Sequence, residues 1–162
     1  MSEIRTILHP TDFSEHSMAA FDIARDLARQ HHATILLLHV ADAPGPEQVS
    51  YREATTQLQP EAYFQRLLGE MQALFKPLGT EVPLQYLIVE GHPATEIDRV
   101  AKDRHCDLIV VGTHGRSPLQ RLLLGSTSEQ LMRHAPCPVL TVRLPVNPIH
   151  REGGAQTQTH HG

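Results

Sequence analysis

Two segments of this chain carry residue types suited to holding an anion. Gly112-Thr113-His114-Gly115 follows directly on the apolar run from Asp107 to Val111, and after nine intervening residues comes Gly125-Ser126-Thr127-Ser128. Glycine lets main-chain N–H groups approach an oxygen closely, and the first turn of a helix leaves such donors unpaired at the positive end of its dipole. A strand ending in the first segment and a helix opening at the second would wrap phosphate oxygens, so the spacing points to a nucleotide. Each piece also has a plainer use. Gly112 and Gly115 suit a tight turn needing positive φ, and Ser126 suits a helix cap. Asp12, which with Thr11 follows the first apolar run, either faces a ligand or caps a helix beginning near Ser14.

His114, between glycines, invites a role as general base, but catalysis needs a second positioned group and the sequence shows no paired acid and base. No catalytic residue is assigned. A structural or phosphate-contact role is the reading for His114, phosphate neutralisation for Arg116, and a solvated surface position for Arg121.

These segments need a scaffold, and the hydrophobic pattern supplies one. Ile4–His9, Ala33–Val40, Pro83–Glu90, Asp107–Thr113 and Pro138–Arg143 read as strands, mostly continuous aliphatic runs of the kind covered on both faces. Between them Ala20, Ala24, Leu27, Ala28 and His31 mark one helix face, and Phe64, Leu67, Leu68, Met71, Leu74 and Phe75 another. Pro93 suits the first turn of a helix carrying Ala94, Ile97 and Ala101, and Ser126 or Ser128 the start of one carrying Leu131, Met132 and Ala135. Alternating strands and helices imply one α/β domain, a doubly wound five-stranded parallel sheet with helices on both faces. In such sheets ligands bind beyond the carboxyl ends of the strands, where Thr11-Asp12, Val40 and Gly112 all fall. The first and fourth strands are expected side by side. Residues 43–60 read as a mobile loop or short helix over that end, a candidate to order on ligand binding, and residues 146–162 as a disordered tail following a domain over 1–145.

Composition narrows the class. The 162 residues include 14 basic and 18 acidic ones, a formal net charge of -4, which gives no footprint for nucleic acid or an anionic membrane. No apolar stretch is long enough to span a bilayer. Twelve histidines are many, yet they are scattered, and the adjacent pairs His31-His32 and His160-His161 lack metal-ligand spacing, so they read as solvated surface. Cys106 and Cys137 beside buried strands, with no secretory signal, fit free thiols in a reducing cytoplasm.

The chain resembles the universal stress proteins from Ile4 to Arg143. The resemblance rests on Pro10-Thr-Asp12-Phe-Ser14, Leu38-His-Val40, Gly112-Thr-His-Gly115-Arg, Leu124-Gly125-Ser-Thr-Ser128 and Ala135-Pro-Cys-Pro-Val-Leu140. Its Gly-x2-Gly-x9-Gly-Ser pattern is that of the ATP-binding branch. The resemblance implies a Rossmann-like, adenine nucleotide alpha hydrolase-like fold and ATP with Mg2+, or Mn2+, as cofactor. It implies that Pro10, Thr11 and Asp12 meet the nucleoside end, Asp12 accepting a hydrogen bond, and that Val40 gives main-chain and apolar contact to adenine. Val111, Gly112, Thr113, His114, Gly115 and Arg116 would line ribose and phosphates, and Gly125, Ser126, Thr127 and Ser128 would hold the phosphate chain. Thr127 departs from the small aliphatic residue often found there. A homodimer through the last strand, with Val139, Leu140 and Val142 near the interface, is implied as well. The expected function is a cytoplasmic, nucleotide-responsive stress regulator, with at most slow hydrolysis. The alternatives are a weak ATPase or nucleotidyl-transfer enzyme, and an interaction module that needs no nucleotide.

Overall fold

The computed structural model describes residues 3–41, 60–113, 130–131 and 133–143. In chain order these form β1 (Thr6–Pro10), α1 (Glu15–His31), β2 (Thr34–Ala41), α2 (Pro60–Phe75), β3 (Leu84–Glu90), α3 (Pro93–Asp103), β4 (Leu108–Gly112) and β5 (Val139–Val142). The five strands make one sheet in the order β3-β2-β1-β4-β5, and every pairing is parallel. The expected neighbours β1 and β4 are adjacent. Residues 43–59 of the expected loop, the segment 114–128 and the tail from 146 lie outside the described residues, and Pro60, placed in that loop by the sequence, opens α2 instead.

Alternation along the strands divides the apolar side chains between two cores, because successive residues point to opposite faces. Ile7, Ile35, Leu37 and Val110 pack under Ala20, Phe21, Ala24 and Ala28 of α1 and Met71 and Phe75 of α2. Leu8, Leu36, Leu38 and Ile109 pack on the other face under Ile97, Val100 and Ala101 of α3 and Leu131. This two-sided burial explains why the strands read as continuous aliphatic runs.

The helices start and stop for local reasons. Ser14 caps α1, its side chain accepting from Ser17 N, and left-handed His32 closes the other end, its N–H donating to Ala28 O. Ser14, not Asp12, is therefore the cap. Pro93 opens α3 as expected, after Gly91 turns the chain with φ 148°. Two positions assigned to buried helix faces are corrected: His31 is exposed at the end of α1, and Leu74 is 38% exposed on α2, where Leu67, Met71 and Phe75 supply the buried stripe. Among the described residues no helix is long and apolar enough to cross a membrane.

Candidate functional site

Parallel pairing places the carboxyl ends of β1, β2 and β4 at one edge of the sheet, and the strands do not stay laddered to the end. β1 pairs with β2 over five positions, Thr6 to Pro10, but with β4 over two, Ile7↔Leu108 and Leu8↔Ile109. Beyond Leu8 a side chain takes over: His9 Nδ1 lies 2.8 Å from Val110 O. Since a carbonyl only accepts, Nδ1 carries the proton. His9 is fully buried against Phe21 and Phe75, with ring centroids 5.8 and 6.3 Å away, and among the described residues its Nε2 has no close hydrogen-bond partner. Burial drives its pKa down to about 4, against the opposing pull of the Val110 bond and Asp12. The ring is a neutral strut between β1 and β4.

Gly112 ends β4 for a steric reason. A Cβ built there would stand 2.6 Å from His16 O and 2.8 Å from His16 C, so the first turn of α1 occupies the space of a side chain. Its φ is not positive, so the turn requirement raised from the sequence is not what demands glycine here. Thr113 donates from N and Oγ1 to Val142 O, at 3.0 and 3.4 Å, fastening the end of β4 to β5. Val111 is half-buried in β4 opposite Thr141, and Pro10, also half-buried, ends β1 opposite Leu38.

After Pro10 the chain turns sharply. Thr11 is buried, its Oγ1 bonded to Ser17 Oγ and accepting from Phe13 N at 3.2 Å. Asp12 Oδ1 accepts from Ser14 N at 3.0 Å, which orients a half-buried carboxylate at the carboxyl edge. A carboxylate has capacity for further donors beyond this one. Phe13 adopts φ 64°, unusual for an aromatic residue, and its ring lies 4.7 Å from that of His39.

Beside this turn β2 overhangs β1. Thr11 N donates to Leu38 O at 2.8 Å, and Gly91 N donates to Ala41 O at 3.2 Å on the opposite side. Backbone groups alternate sides along a strand, so the N–H and C=O of Val40 face the β1 side, past the last rung. The side chain of Val40 packs against the core under α3.

Asp12, Val40 and Gly112 thus share one edge, whereas His114, Gly115, Arg116, Gly125, Ser126, Thr127 and Ser128 lie outside the described residues. His9 and Ser17 were given no role by the sequence, and neither were Phe13 and His39, although these two lie within the segments that carry the family resemblance. A histidine interrupting Thr6-Ile-Leu-His9 and another after four aliphatic residues at Ile35-Leu-Leu-Leu38 were the available signals. Among the described residues no group of three or more His, Cys, Asp or Glu could hold a metal. Cys106 and Cys137 are free thiols, and burial pushes Cys106 up to about 12, which keeps it protonated and unreactive.

A parallel sheet whose strand order reverses beside β1, with helices on both faces, is of the doubly wound α/β class. The chain matches the universal stress protein family over residues 3–143 and belongs to it. It is 33% identical over 145 residues to a universal stress protein of Methanocaldococcus jannaschii, covering 87% of this chain and 83% of that protein. The solved structure of a second protein of that organism, MJ0577, superposes with a TM-score of 0.71 at 28% identity, over 88% of this chain and 98% of that one. An Arabidopsis thaliana family protein with AMP bound shares the fold, with a TM-score of 0.60 at 23% identity, over 88% of this chain and 93% of that one.

Proposed function

We propose that this chain is a nucleotide-responsive stress protein that binds an adenine nucleotide, ATP with its Mg2+ or Mn2+, at the carboxyl edge of β1, β2 and β4. The observation that carries the reading is the unladdered main chain of Val40 beside the oriented carboxylate of Asp12. An N–H and a C=O side by side match the acceptor and donor on an adenine edge, and a carboxylate suits a ribose hydroxyl. The phosphates would then run toward the glycine and hydroxyl groups of the 112–116 and 125–128 segments, whose main-chain N–H and side-chain donors would supply the countercharge. Mg2+ keeps several waters and is held largely by phosphate oxygens, so its binding requires no dedicated cage.

The protein acts as a homodimer, paired through β5, in the reducing cytoplasm. Its response to nucleotide is a change in the surface shown to other proteins, and any hydrolysis is slow and incidental. The AMP complex of the plant neighbour accords with the ligand class. Denaturing freshly purified protein and identifying the nucleotide released tests the reading. Adenine nucleotide recovered in stoichiometric amount, and lost in Gly125→Val, is the expected result. Absence of bound nucleotide, together with no affinity for added ATP, AMP or adenosine, overturns it.

A further inference from the structure

We infer that His39 is a positioning residue that keeps the main chain of Val40 open for the base of the ligand. The inference rests on the nucleotide reading above and names the residue that makes this end of the site available. In a parallel ladder continued by one rung, Val40 N would donate to Thr11 O and Val40 O would accept from Phe13 N. Among the described residues neither bond forms. His39 Nδ1 lies 2.8 Å from Thr11 O and takes the place of the Val40 donor. Thr11 Oγ1 receives Phe13 N at 3.2 Å and takes the place of the Val40 acceptor. Two side chains therefore satisfy the two groups of the β1–α1 turn that would otherwise close on Val40.

The surroundings hold this substitution in place. Phe13, with its left-handed φ of 64°, turns the chain out of strand direction and lays its ring 4.7 Å from the His39 ring. Thr11 is fixed from the other side by its hydroxyl contact with Ser17 and its N–H bond to Leu38 O. With Nδ1 donating to a carbonyl, the His39 ring has one defined tautomer when neutral. The ladder stops by design of these side chains, and the rung left over is the one the purine needs.

The test replaces His39 in the intact protein and follows the Val40 amide by hydrogen exchange, alongside binding of ATP with Mg2+ and of adenosine. His39→Leu keeps the packing against Phe13 but removes the donor, and His39→Asn keeps an amide donor near the position of Nδ1. In the ligand-free leucine variant the Thr11 carbonyl becomes available, so Val40 exchange is expected to slow. General loosening of the fold would speed it. Affinity for both ligands should fall about tenfold, a loss of about 1.4 kcal/mol. His39→Asn should stay within about threefold of the wild type, a margin of under 1 kcal/mol. Unchanged or faster Val40 exchange in His39→Leu overturns the inference. Slower exchange in that variant, with no adenosine effect on the wild-type Val40 amide, supports the ladder device and sinks the nucleotide reading instead.

Discussion

His9 and Gly112 show how single residues set the gap between β1 and β4. His9 is held neutral by burial, with a pKa near 4 against an ordinary 6.5. Between these values the unfolded chain binds more protons than the folded one, so stability rises with pH there. The stabilisation is fully present above about pH 6.5 and is lost as pH falls through about 4. Its size is on the order of 3 kcal/mol. Urea midpoints measured from pH 7 to 4 should fall for the wild type and fall less steeply for His9→Leu. Equal slopes would show that the imidazole is not the acid-sensitive group. Gly112→Ala puts a methyl 2.6 Å from a backbone oxygen of α1, which flexible side chains cannot relieve. A loss of about 2 kcal/mol or more is expected in chemical denaturation, as for other overpacked sites. Both residues were visible in the sequence, but not their reasons. Glycine at 112 reads as a tight turn or a phosphate contact, and the position of α1 adds a close approach that neither reading contains.

At the scale of elements the sequence is most legible where periodicity and burial agree. β1, β2 and β4 announced themselves because they are covered on both faces, and α3 because proline marks its first turn. The ends were less clear. β1 runs Thr6–Pro10, ending at a proline that the pattern placed outside it, because parallel pairing with Leu38 extends to that residue. The α2 stripe was overread at Leu74, since a spacing of three or four residues does not say how far a neighbour reaches. For α1 the sequence offered Asp12 as a cap for a helix beginning near Ser14, whereas the structure gives the cap to Ser14 itself and the orientation of Asp12 to the N–H of Ser14. Ser14→Ala should therefore cost about 1 kcal/mol of stability, the usual worth of a cap. Ser14→Asp, which restores an acceptor for Ser17 N, should recover most of it. Thermal unfolding of the two variants makes the comparison. The polar turn from Thr11 to Ser17 was only partly legible, because its local bonds are completed by Leu38 and His39 of β2, which only tertiary contact brings beside Thr11.

For the whole molecule, the strand order among the described residues leaves β3 and β5 at the two edges of the sheet. An unpaired edge exposes a row of N–H and C=O groups, and proteins cover such edges or use them. The β5 edge carries Leu140, 38% exposed, between Val139 and Thr141, both half-buried. Val139 packs on the core under α3 and Val142 on the core under α1, so the strand is anchored from both faces while Leu140 stays available. The proposed dimer joins two such edges across a twofold axis, which buries Leu140 and completes the ladder of each copy. Leu140→Lys leaves the protomer intact, because the side chain already meets solvent, but brings two ammonium groups into the joint. Sedimentation at micromolar concentration should show a dimer for the wild type and a shift toward monomer for the variant, with unchanged circular dichroism. A wild-type monomer under those conditions rules the dimer out. If the nucleotide site and the dimer act together, the link runs along β4: Thr113, at the end of the strand beside the site, donates to Val142 of β5. ATP should then tighten the wild-type dimer and do so less in Thr113→Val, which removes the hydroxyl donor while keeping the main-chain bond.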